Sequence, residues 1–568
     1  MIKKFHISYF NNINLNSIYS KIIVFYQNPL HLLNNISFSS NKEKKENNKN
    51  IIEDKNKSGG GGDEAQQYPN YQKRQYIGLL LGPLLFLLML LIDRPAGMTV
   101  EAQKVAAVGI LMAVWWICES IPIPATSLLP LALMPILGVS STKKAALPYA
   151  SDIIFLYMGG FFIALAMQKW NLHKRIAMNI IKIVGFSPSR IILGFMLATA
   201  AISAFVSNTA TAVMMLPIGL AVITHAIDEG KKAGLDKEID FTQGKFNFAL
   251  NLMLGISYAA SIGGVATLIG TPPNAILSGY LATTYNYSIS FSKWVIVGVP
   301  LVIIMLPIAW IVILKTNPMK LKKIPGGKDI IKKELAEMGK MSKGEIYTLI
   351  VFSLTGLTWV FSTLLKKLVI NSEIFADATI AMMGGLILFL IPIDLKKNIF
   401  VLDWPQARRL PWGVLLLFGG GLSLAEAFQT SQLAEWMGRQ IELLHTAPLI
   451  ILILIAVTLV KFITEMTSNT ATAALMMPIL TSIAIGIGQD PLLLLVPSTF
   501  AVSCAFMLPV GTPPNAIVFG SGFVTIPQMA KTGLWLNIVT VLIALLAVYF
   551  LIIPVFDINL NSIPLWVK

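Results

Sequence analysis

Apolar runs long enough to cross a lipid bilayer recur along most of this chain. The first is IGLLLGPLLFLLMLLI at 77–92, and further runs follow with few charges inside them. Because lipid offers no partner for backbone amides, a run of about 20 apolar residues is expected to cross as a helix. With 55% hydrophobic and only 13% charged residues, the chain is predicted to be an all-α polytopic membrane protein.

The charged residues lie mostly between the apolar runs. The formal net charge is +15, which would suit nucleic acid if the Lys and Arg residues shared one soluble face. They instead flank the apolar runs, as in cytoplasmic loops of membrane proteins. The lipid bilayer, and not nucleic acid, is therefore the predicted partner.

Residues 1–75 are rich in Asn, Lys and Ser and are predicted to be a disordered basic extension.

No pattern in the sequence indicates an enzyme. The two cysteines lie in apolar surroundings, and the five histidines show no metal-ligand spacing. The sequence contains no phosphate-binding loop, dinucleotide fingerprint or nucleophile elbow. We therefore predict no catalytic residues and no organic cofactor.

The distribution of Lys and Arg assigns the spans to sides. About eleven spans remain if the segments at about 191–224 and about 448–485 enter and leave by the same face, as re-entrant hairpins. With the N-terminus in the cytoplasm, the basic loops then all face the cytoplasm. If the two segments crossed the membrane instead, the lysine-rich loop at 316–345 would face outward, against the usual charge distribution.

Three segments recur in the same order in the two halves of the chain. LYMGGFFIALAMQ (156–168) resembles LLFGGGLSLAEAFQ (416–429), SNTATAVMMLPI (207–218) resembles SNTATAALMMPI (468–479), and GGVATLIGTPPNAIL (263–277) resembles CAFMLPVGTPPNAIV (504–518). About five crossings separate equivalent points, and an odd number inverts the second copy. An inverted-topology repeat is typical of secondary transporters, whose site lies where the repeats meet.

The repeat sets the predicted boundaries. The predicted segments are the disordered extension (1–75), a first transmembrane helix (76–102), the first repeat (103–315), a basic cytoplasmic loop (316–345) and the second repeat (346–560). The first repeat holds the hairpin expected to dip from inside, and the second holds the hairpin expected to dip from outside.

The SNT and GTPPN motifs suit a site for a charged ligand. Proline has no amide hydrogen, so TPP breaks a helix, and irregular backbone occurs at membrane depth only where it is buried or lines a wet cavity. Each new helix N-terminus favours an anion. Ser, Asn and Thr add neutral donors for a carboxylate and oxygen ligands for Na⁺. Two symmetric sets favour an anion with two charged ends, and no arginine lies near either motif in the sequence.

These motifs resemble those of the divalent anion/sodium symporter family, the INDY-type sodium-coupled di- and tricarboxylate transporters. The resemblance covers about 76–560 and includes SNT twice, TPPN twice and the run SCAFMLPVGTPPNAIV (503–518). It implies a homodimer and an elevator mechanism. A transport domain with the hairpins and broken helices would slide against a scaffold domain, to which the first helix (76–102) would belong.

The resemblance also assigns residues to the site. The substrate would be bound by Ser207, Asn208, Thr209, Ser468, Asn469, Thr470, Thr512 and Pro513. The first sodium ion would lie among Ser203, Ser207, Asn208 and Gly270, and the second among Thr464, Asn469 and Gly511. Ser203 and Thr464 each precede their SNT by four residues, and these two hydroxyls favour sodium coupling.

Two ionisable residues precede the second SNT. Lys461 and Glu465 stand where the first repeat has Ala200 and Ala204. One interpretation is an i,i+4 ion pair that neutralises itself on one helix. The other is that Glu465 tunes cation binding, since ionisable residues at membrane depth are often functional. The sequence leaves both open.

The predicted function is sodium-coupled symport of divalent carboxylates of the succinate, malate and fumarate class. The protein would lie in the plasma membrane (the inner membrane of a bacterium), with its C-terminus outside. A sodium-independent dicarboxylate exchanger and a citrate or sulfate transporter on the same fold are the alternatives. A membrane-embedded enzyme and a channel fit two symmetric motifs less well, because no active site is visible and an occluded site suits alternating access.

Overall fold

The fold is given by a computed structural model, which describes residues 71–321, 334–368, 372–440, 448–560 and 562–567. The predicted disordered extension lies outside these residues as far as residue 70, and the first helix already begins at Lys73. Within the predicted basic loop, 322–333 also lies outside the described residues.

The described residues are mostly helical. The α-helices are α1 Lys73–Leu91, α2 Val100–Cys118, α3 Ile123–Thr126, α4 Leu129–Ile136, α5 Thr142–Ala146, α6 Asp152–Lys169, α7 Leu172–Val184, α8 Pro188–Ser203, α9 Asn208–Lys232, α10 Asn247–Gly264, α11 Pro272–Tyr285, α12 Phe291–Thr316, α13 Lys343–Leu368, α14 Asp377–Leu390, α15 Trp404–Ala407, α16 Trp412–Thr430, α17 Leu433–Gln440, α18 Leu449–Met466, α19 Asn469–Gly486, α20 Leu492–Ser503, α21 Pro513–Phe519, α22 Ile526–Ala547 and α23 Ile553–Phe556.

Ten helical segments in the described part of the chain are long and apolar enough to cross a membrane. They are α1, α2, α5 together with α6, α9, α12, α13, α16, α18, α19, and α22 together with α23. Segments of this length and hydropathy are stable in contact with lipid, so the protein is an integral membrane protein.

These ten segments differ from the eleven predicted spans. Three of them, α9, α18 and α19, belong to the predicted hairpins, and helix length does not distinguish a hairpin arm from a crossing. The apolar stretches 246–284 and 492–526 each contain two helices, α10 with α11 and α20 with α21. Both interruptions precede a GTPPN proline pair, as the sequence predicts.

The apolar stretch 124–139 is not one continuous helix. It consists of the short helices α3 and α4, which are separated at Ser127 and Leu128. Pro130 lies in the first turn of α4 and has no amide hydrogen to donate to Thr126 four residues earlier, which favours a break in the helix at this point.

A small β-hairpin departs from the all-α expectation. Strand β1 (Pro392–Asp394) pairs antiparallel with β2 (Ile399–Phe400). The turn is favoured locally, because Asp394 Oδ1 accepts the Lys396 amide at 3.0 Å and Asn398 adopts a positive φ of 54°, which asparagine tolerates well. The hairpin leads into α15 and then into α16.

Glycines bring helix backbones into direct contact beside the motifs. Helix α6 packs along α14, and a methyl group at Gly159 would lie 2.3 Å from the carbonyl carbon of Ala381. Helix α8 packs along α10, where a methyl group at Gly263 would lie 2.4 Å from Ala200 Cα. Small residues allow such close packing between helices in membranes, and here they fix the walls around the two motifs.

Helix α7 is amphipathic and is fixed by a buried ion pair. Arg175 Nε donates to Glu345 Oε1 at 2.6 Å, and the two side chains are only 13% and 6% exposed. Arg175 also donates to the carbonyl oxygens of Gly339 and Met338 at 2.9 and 3.1 Å. The pair joins α7 to the beginning of α13, across the segment that carries the basic loop.

Replacing Arg175 by alanine tests this connection. Glu345 would keep a buried negative charge without its partner, so the free energy of unfolding should fall by about 3 kcal/mol. The thermal midpoint of the purified protein in detergent measures the loss. The control is Lys182→Ala, because Lys182 lies exposed on the same helix. Equal midpoints for the two variants would contradict the role of the pair.

Candidate functional site

Each SNT tripeptide forms the beginning of a helix. Ser207 is the N-cap of α9, and its Oγ accepts the Ala210 amide at 3.3 Å. Ser468 takes the N-cap position of α19, and Asn469 is the first residue of that helix. Ser and Asn are favoured there because short polar side chains satisfy the free amides of a first turn. A short turn or bend separates each cap from the helix before it, α8 or α18.

Each GTPPN motif begins a helix after an irregular segment. Thr271 and Thr512 are extended, with φ of −141° and −153°, and the proline after each is the first helical residue. Proline suits that position because its missing amide hydrogen is not needed there. The motif asparagines then hold the irregular segments, since Asn274 Nδ2 donates to Thr267 O at 2.8 Å and Asn515 Nδ2 donates to Leu508 O at 3.0 Å.

One cavity of about 420 Å³ lies among the four motifs. All eight predicted substrate residues line it, namely Ser207, Asn208, Thr209, Ser468, Asn469, Thr470, Thr512 and Pro513. Gly270 and Thr271 of the first repeat line it too. The structure thus brings together two sets of residues that lie in different halves of the sequence.

The cavity wall favours a negative ligand without a cluster of cations. Helices α9, α11 and α19 all begin at this wall, so their free amides and the positive ends of their dipoles meet there. The motif side chains add hydroxyl and amide donors. Such a wall can bind carboxylate groups through neutral donors, which hold an anion less tightly than buried arginines would.

Beside the cavity, Asn208 reaches a group of oxygen atoms. Its Oδ1 accepts a hydrogen bond from Ser203 Oγ at 2.8 Å, and the same end of the side chain lies 3.0 Å from Ala260 O and 3.2 Å from Gly270 O. An amide oxygen is repelled by two carbonyl oxygens unless a cation lies between them or the amide turns its NH₂ group toward them. The four predicted ligands of the first sodium ion therefore lie at or beside this group of oxygen atoms. They are Ser203, Ser207, Asn208 and Gly270.

The second repeat makes the same contacts. Thr464 Oγ1 donates to Asn469 Oδ1 at 2.6 Å and to Val502 O at 3.3 Å, as Ser203 does to Asn208 and to a carbonyl of α10. Gly511 lies directly against the backbone here, since a methyl group on it would be 3.0 Å from Glu465 O. The three predicted ligands of the second sodium ion are therefore neighbours as well.

Sequence reasoning missed one wall of the cavity. Tyr157, Phe161 and Gln168 of α6 and Val414 of α16 line it, and the Tyr157 hydroxyl donates to Thr271 O at 3.0 Å. For α6 the signal was present, because Tyr157, Phe161 and Gln168 belong to the repeated segment 156–168, whereas Val414 lies just before its counterpart 416–429. In the sequence analysis, these two segments are evidence for the internal repeat only and not a part of the site.

Arg409 also lines the cavity, although no arginine lies near either motif in the sequence. It lies far along the chain from both SNT motifs and approaches them only because α15 and α16 fold back against α6. No local sequence pattern could have placed it there.

Lys461 and Glu465 form the predicted ion pair on α18. Both side chains are buried, and Lys461 Nζ lies 3.6 Å from Glu465 Oε1. The ammonium group donates to Cys504 O. The carboxylate accepts three further hydrogen bonds, each of 2.8 Å, from Phe506 N, Met507 N and Asn537 Nδ2. The pair therefore also holds the irregular segment that leads to the second GTPPN motif.

The sequence is similar to those of known transporters over most of its length. The family model of the sodium:sulfate symporter transmembrane region matches residues 73–556. A sodium-dependent dicarboxylate transporter, SdcS, of Staphylococcus saprophyticus is 47% identical over 497 residues, which cover 87% of this chain and 94% of that protein. SdcS of Staphylococcus aureus strain USA300 is 46% identical over 502 residues, which cover 88% and 95%.

Similarity to solved structures is weaker. MtrF of Neisseria gonorrhoeae aligns over 87% of this chain and 96% of its own, with 10% sequence identity and a TM-score of 0.49. YdaH of Alcanivorax borkumensis aligns over 84% and 99%, with 13% identity and a TM-score of 0.49. Neither likeness is close enough to bear on the site.

Replacing Glu465 should harm the protein more than replacing Lys461. Glu465→Gln leaves Lys461 charged and unpaired and turns an NH₂ group toward backbone donors, a loss of about 3 kcal/mol in the free energy of unfolding. Lys461→Met also leaves a buried charge without its partner, but the Glu465 carboxylate keeps three hydrogen bonds, so a smaller loss of about 2 kcal/mol is expected. Thermal midpoints in detergent give the order, with the exposed Glu435→Gln as control. The reverse order would contradict this account.

Proposed function

Because the chain belongs to the sodium:sulfate symporter family, we propose that it is a secondary active transporter that couples Na⁺ movement to the uptake of divalent carboxylates. Membership confirms the family resemblance inferred from the motifs. It also confirms that the protein is a transporter and not an enzyme. The proposed substrates are small dianions of the succinate, malate and fumarate class, and the named function of the two staphylococcal relatives supports this choice.

The observation that carries the proposal is the single cavity with all eight motif residues in its wall. Its volume of about 420 Å³ lies within the range of sites for small molecules. One carboxylate of the substrate would be bound by Ser207, Asn208 and Thr209. The other would be bound by Ser468, Asn469 and Thr470, with Thr512 and Pro513 beside it. Two donor sets on one cavity match two charged ends.

The sodium ions are substrates of the transporter in this proposal. The first would lie where Asn208 Oδ1 meets the carbonyl oxygens of Ala260 and Gly270, since hard cations prefer oxygen ligands. The second would lie at the corresponding place beside Thr464, Asn469 and Gly511. Neither place supplies a carboxylate from the predicted ligands, so each ion would be held by neutral oxygens.

Asn208 would connect cation binding to substrate binding. Without a cation, its NH₂ group is the better neighbour for the Ala260 and Gly270 carbonyls. A sodium ion would instead hold Oδ1 toward these carbonyls and leave Nδ2 on the side of Thr271 Oγ1, which lies 3.4 Å away. Nδ2 would then be free to donate to a carboxylate in the cavity. Occupation of the cation site would thus create a substrate donor.

The transport step would be an elevator-type movement. The helix pairs about 191–224 and about 448–485 would be re-entrant hairpins of an inverted-topology repeat, one dipping from the cytoplasm and one from outside. The matching contacts of Ser203 with Asn208 and of Thr464 with Asn469 support equivalent roles. The protein would be a homodimer in the plasma membrane, with its N-terminus in the cytoplasm and its C-terminus outside.

Uptake of labelled succinate into proteoliposomes tests the function. An inward Na⁺ gradient should drive succinate accumulation, while choline in place of Na⁺ should abolish it. Accumulation that is independent of Na⁺ would favour the sodium-independent exchanger. Sulfate or citrate that competes better than succinate would favour the other alternative, and no uptake of any dianion would contradict the proposal.

Three variants separate cation binding from substrate binding. Asn208→Ala and Asn469→Ala should each reduce succinate uptake at least about tenfold, because each removes a donor and a cation ligand. Asn208→Asp keeps an oxygen toward Ser203 but has no NH₂ donor. The thermal midpoint of Asn208→Asp should therefore still be higher in NaCl than in choline chloride, because Na⁺ still binds. Addition of succinate should not raise this midpoint further.

The control for these variants is Asn179→Ala, since Asn179 lies exposed on α7. If either alanine variant transports as the wild type does, the two-ended site is wrong even though the family is right. If Asn208→Asp still responds to succinate, the proposed link through the Asn208 amide is wrong.

A further inference from the structure

Arg409 is the one charged side chain among the described residues that line the cavity. It is exposed, so it lies at the mouth, where water reaches it, and not in the depth of the site. Building on the proposed function, we propose that Arg409 attracts dianionic substrates to the mouth. It would thereby raise the apparent affinity for dianions over monoanions on the membrane face to which the cavity opens in this structure.

The backbone of Arg409 is held in place by contacts with the end of α6. Lys169, the last residue of that helix, donates to Asp403 Oδ2 at 2.7 Å, and Trp170 Nε1 donates to Val401 O at 2.8 Å. The segment from the β-hairpin to α16 is therefore anchored to the helix that forms one cavity wall. The guanidinium group is carried by a fixed turn beside the cavity.

The positive charge of Arg409 is available to a ligand, because the nearby acidic residue pairs with another cation. Asp403 is the acid that interacts with it, but the Asp403 carboxylate already pairs with Lys169 at 2.7 Å. Burial raises the pKa of Asp403, yet its hydrogen bonds and the charges of Lys169 and Arg409 outweigh this effect and lower the pKa, so the carboxyl group stays ionised. Within the described part of the chain, the Arg409 side chain makes no hydrogen bond or ion pair of its own.

A solvated arginine at the rim suits a transporter, which must also release its substrate. The attraction between exposed charges is weak at contact in water, so the substrate is not trapped. It nevertheless acts over roughly 10 Å at 0.1 M salt, and a charged mouth raises the rate of encounter. A dianion feels about twice the attraction of a monoanion at the same place. Discrimination by charge can therefore precede binding at the SNT motifs.

Arg408 offers a matched control within the same turn. It carries the same charge, is exposed and is the immediate neighbour of Arg409, but it does not line the cavity. A general effect of surface charge, or of a change in this turn, would appear in both residues. An effect of charge at the mouth should appear in Arg409 alone.

The experiment compares Arg409→Gln, Arg409→Lys and Arg408→Gln in oriented proteoliposomes. At fixed Na⁺ and low ionic strength, Arg409→Gln should raise the KM for succinate roughly three- to tenfold on one membrane face, with kcat nearly unchanged. Arg409→Lys and Arg408→Gln should each change it less than about twofold. Choline chloride should reduce the difference, because salt screens exposed charges. Monomethyl succinate, a monoanionic competitor, should lose less affinity than succinate does.

Several outcomes would overturn the proposal. A KM for Arg409→Gln equal to that of Arg408→Gln, or a rise that choline chloride does not reduce, would exclude steering by charge. A fall in kcat or in thermal midpoint shared by Arg409→Lys would indicate a structural role instead. In these cases the wild type still accumulates succinate, so the proposed transport function stands. If the wild type takes up no dianion, both proposals fail together.

Discussion

The backbone groups exposed by the two helix breaks must find partners inside the protein, and the rest of the site depends on how they do so. Unpaired amides and carbonyls are costly where water is scarce. Asn274 and Asn515 solve this identically, since each turns its amide nitrogen to carbonyl oxygens of its own break. Trp294 Nε1 adds a bond to Val265 O at 2.9 Å. With these partners the irregular segments keep one shape, and the helices after them begin at the cavity.

The two halves reach similar geometry by different chemistry. In the first, the Thr267 hydroxyl donates to the carbonyl oxygen of Ala204, and no charge is involved. In the second half, Glu465 stands at the position that corresponds to Ala204. Its carboxylate accepts the amides of the irregular segment before the second GTPPN motif, and Lys461 balances its charge. An acidic residue therefore follows the predicted cation ligand Thr464 in the sequence, whereas Ala204 follows Ser203. The two cation places are alike in their hydrogen bonds and unlike in their electrostatic surroundings.

The sequence predicts the motif residues well because the SNT and GTPPN motifs each occur twice and have the same structural role in both copies. Small polar residues at a helix start and a proline pair after glycine each have a local meaning, and their repetition in one order rules out coincidence. The sequence predicts poorly whatever depends on the path of the chain between motifs. Arg409 reaches the cavity through a turn held by Lys169, and the separation of α3 from α4 just before Pro130 is not visible in a hydropathy pattern. The α6 wall was visible as a repeated segment, but its contact with Thr271 requires the tertiary fold.

The contact between Gly159 and Ala381 has a consequence for the cavity, although neither residue lines it. The opposite face of α6 carries Tyr157, Phe161 and Gln168 into the cavity wall, and the distance of α6 from α14 is set by the thickness of a glycine. A larger residue at 159 would displace the whole helix toward the ligand. The contact between α6 and α14 thus partly determines the size of solute that the cavity admits. Relatives with different substrates can therefore differ at positions that no ligand touches.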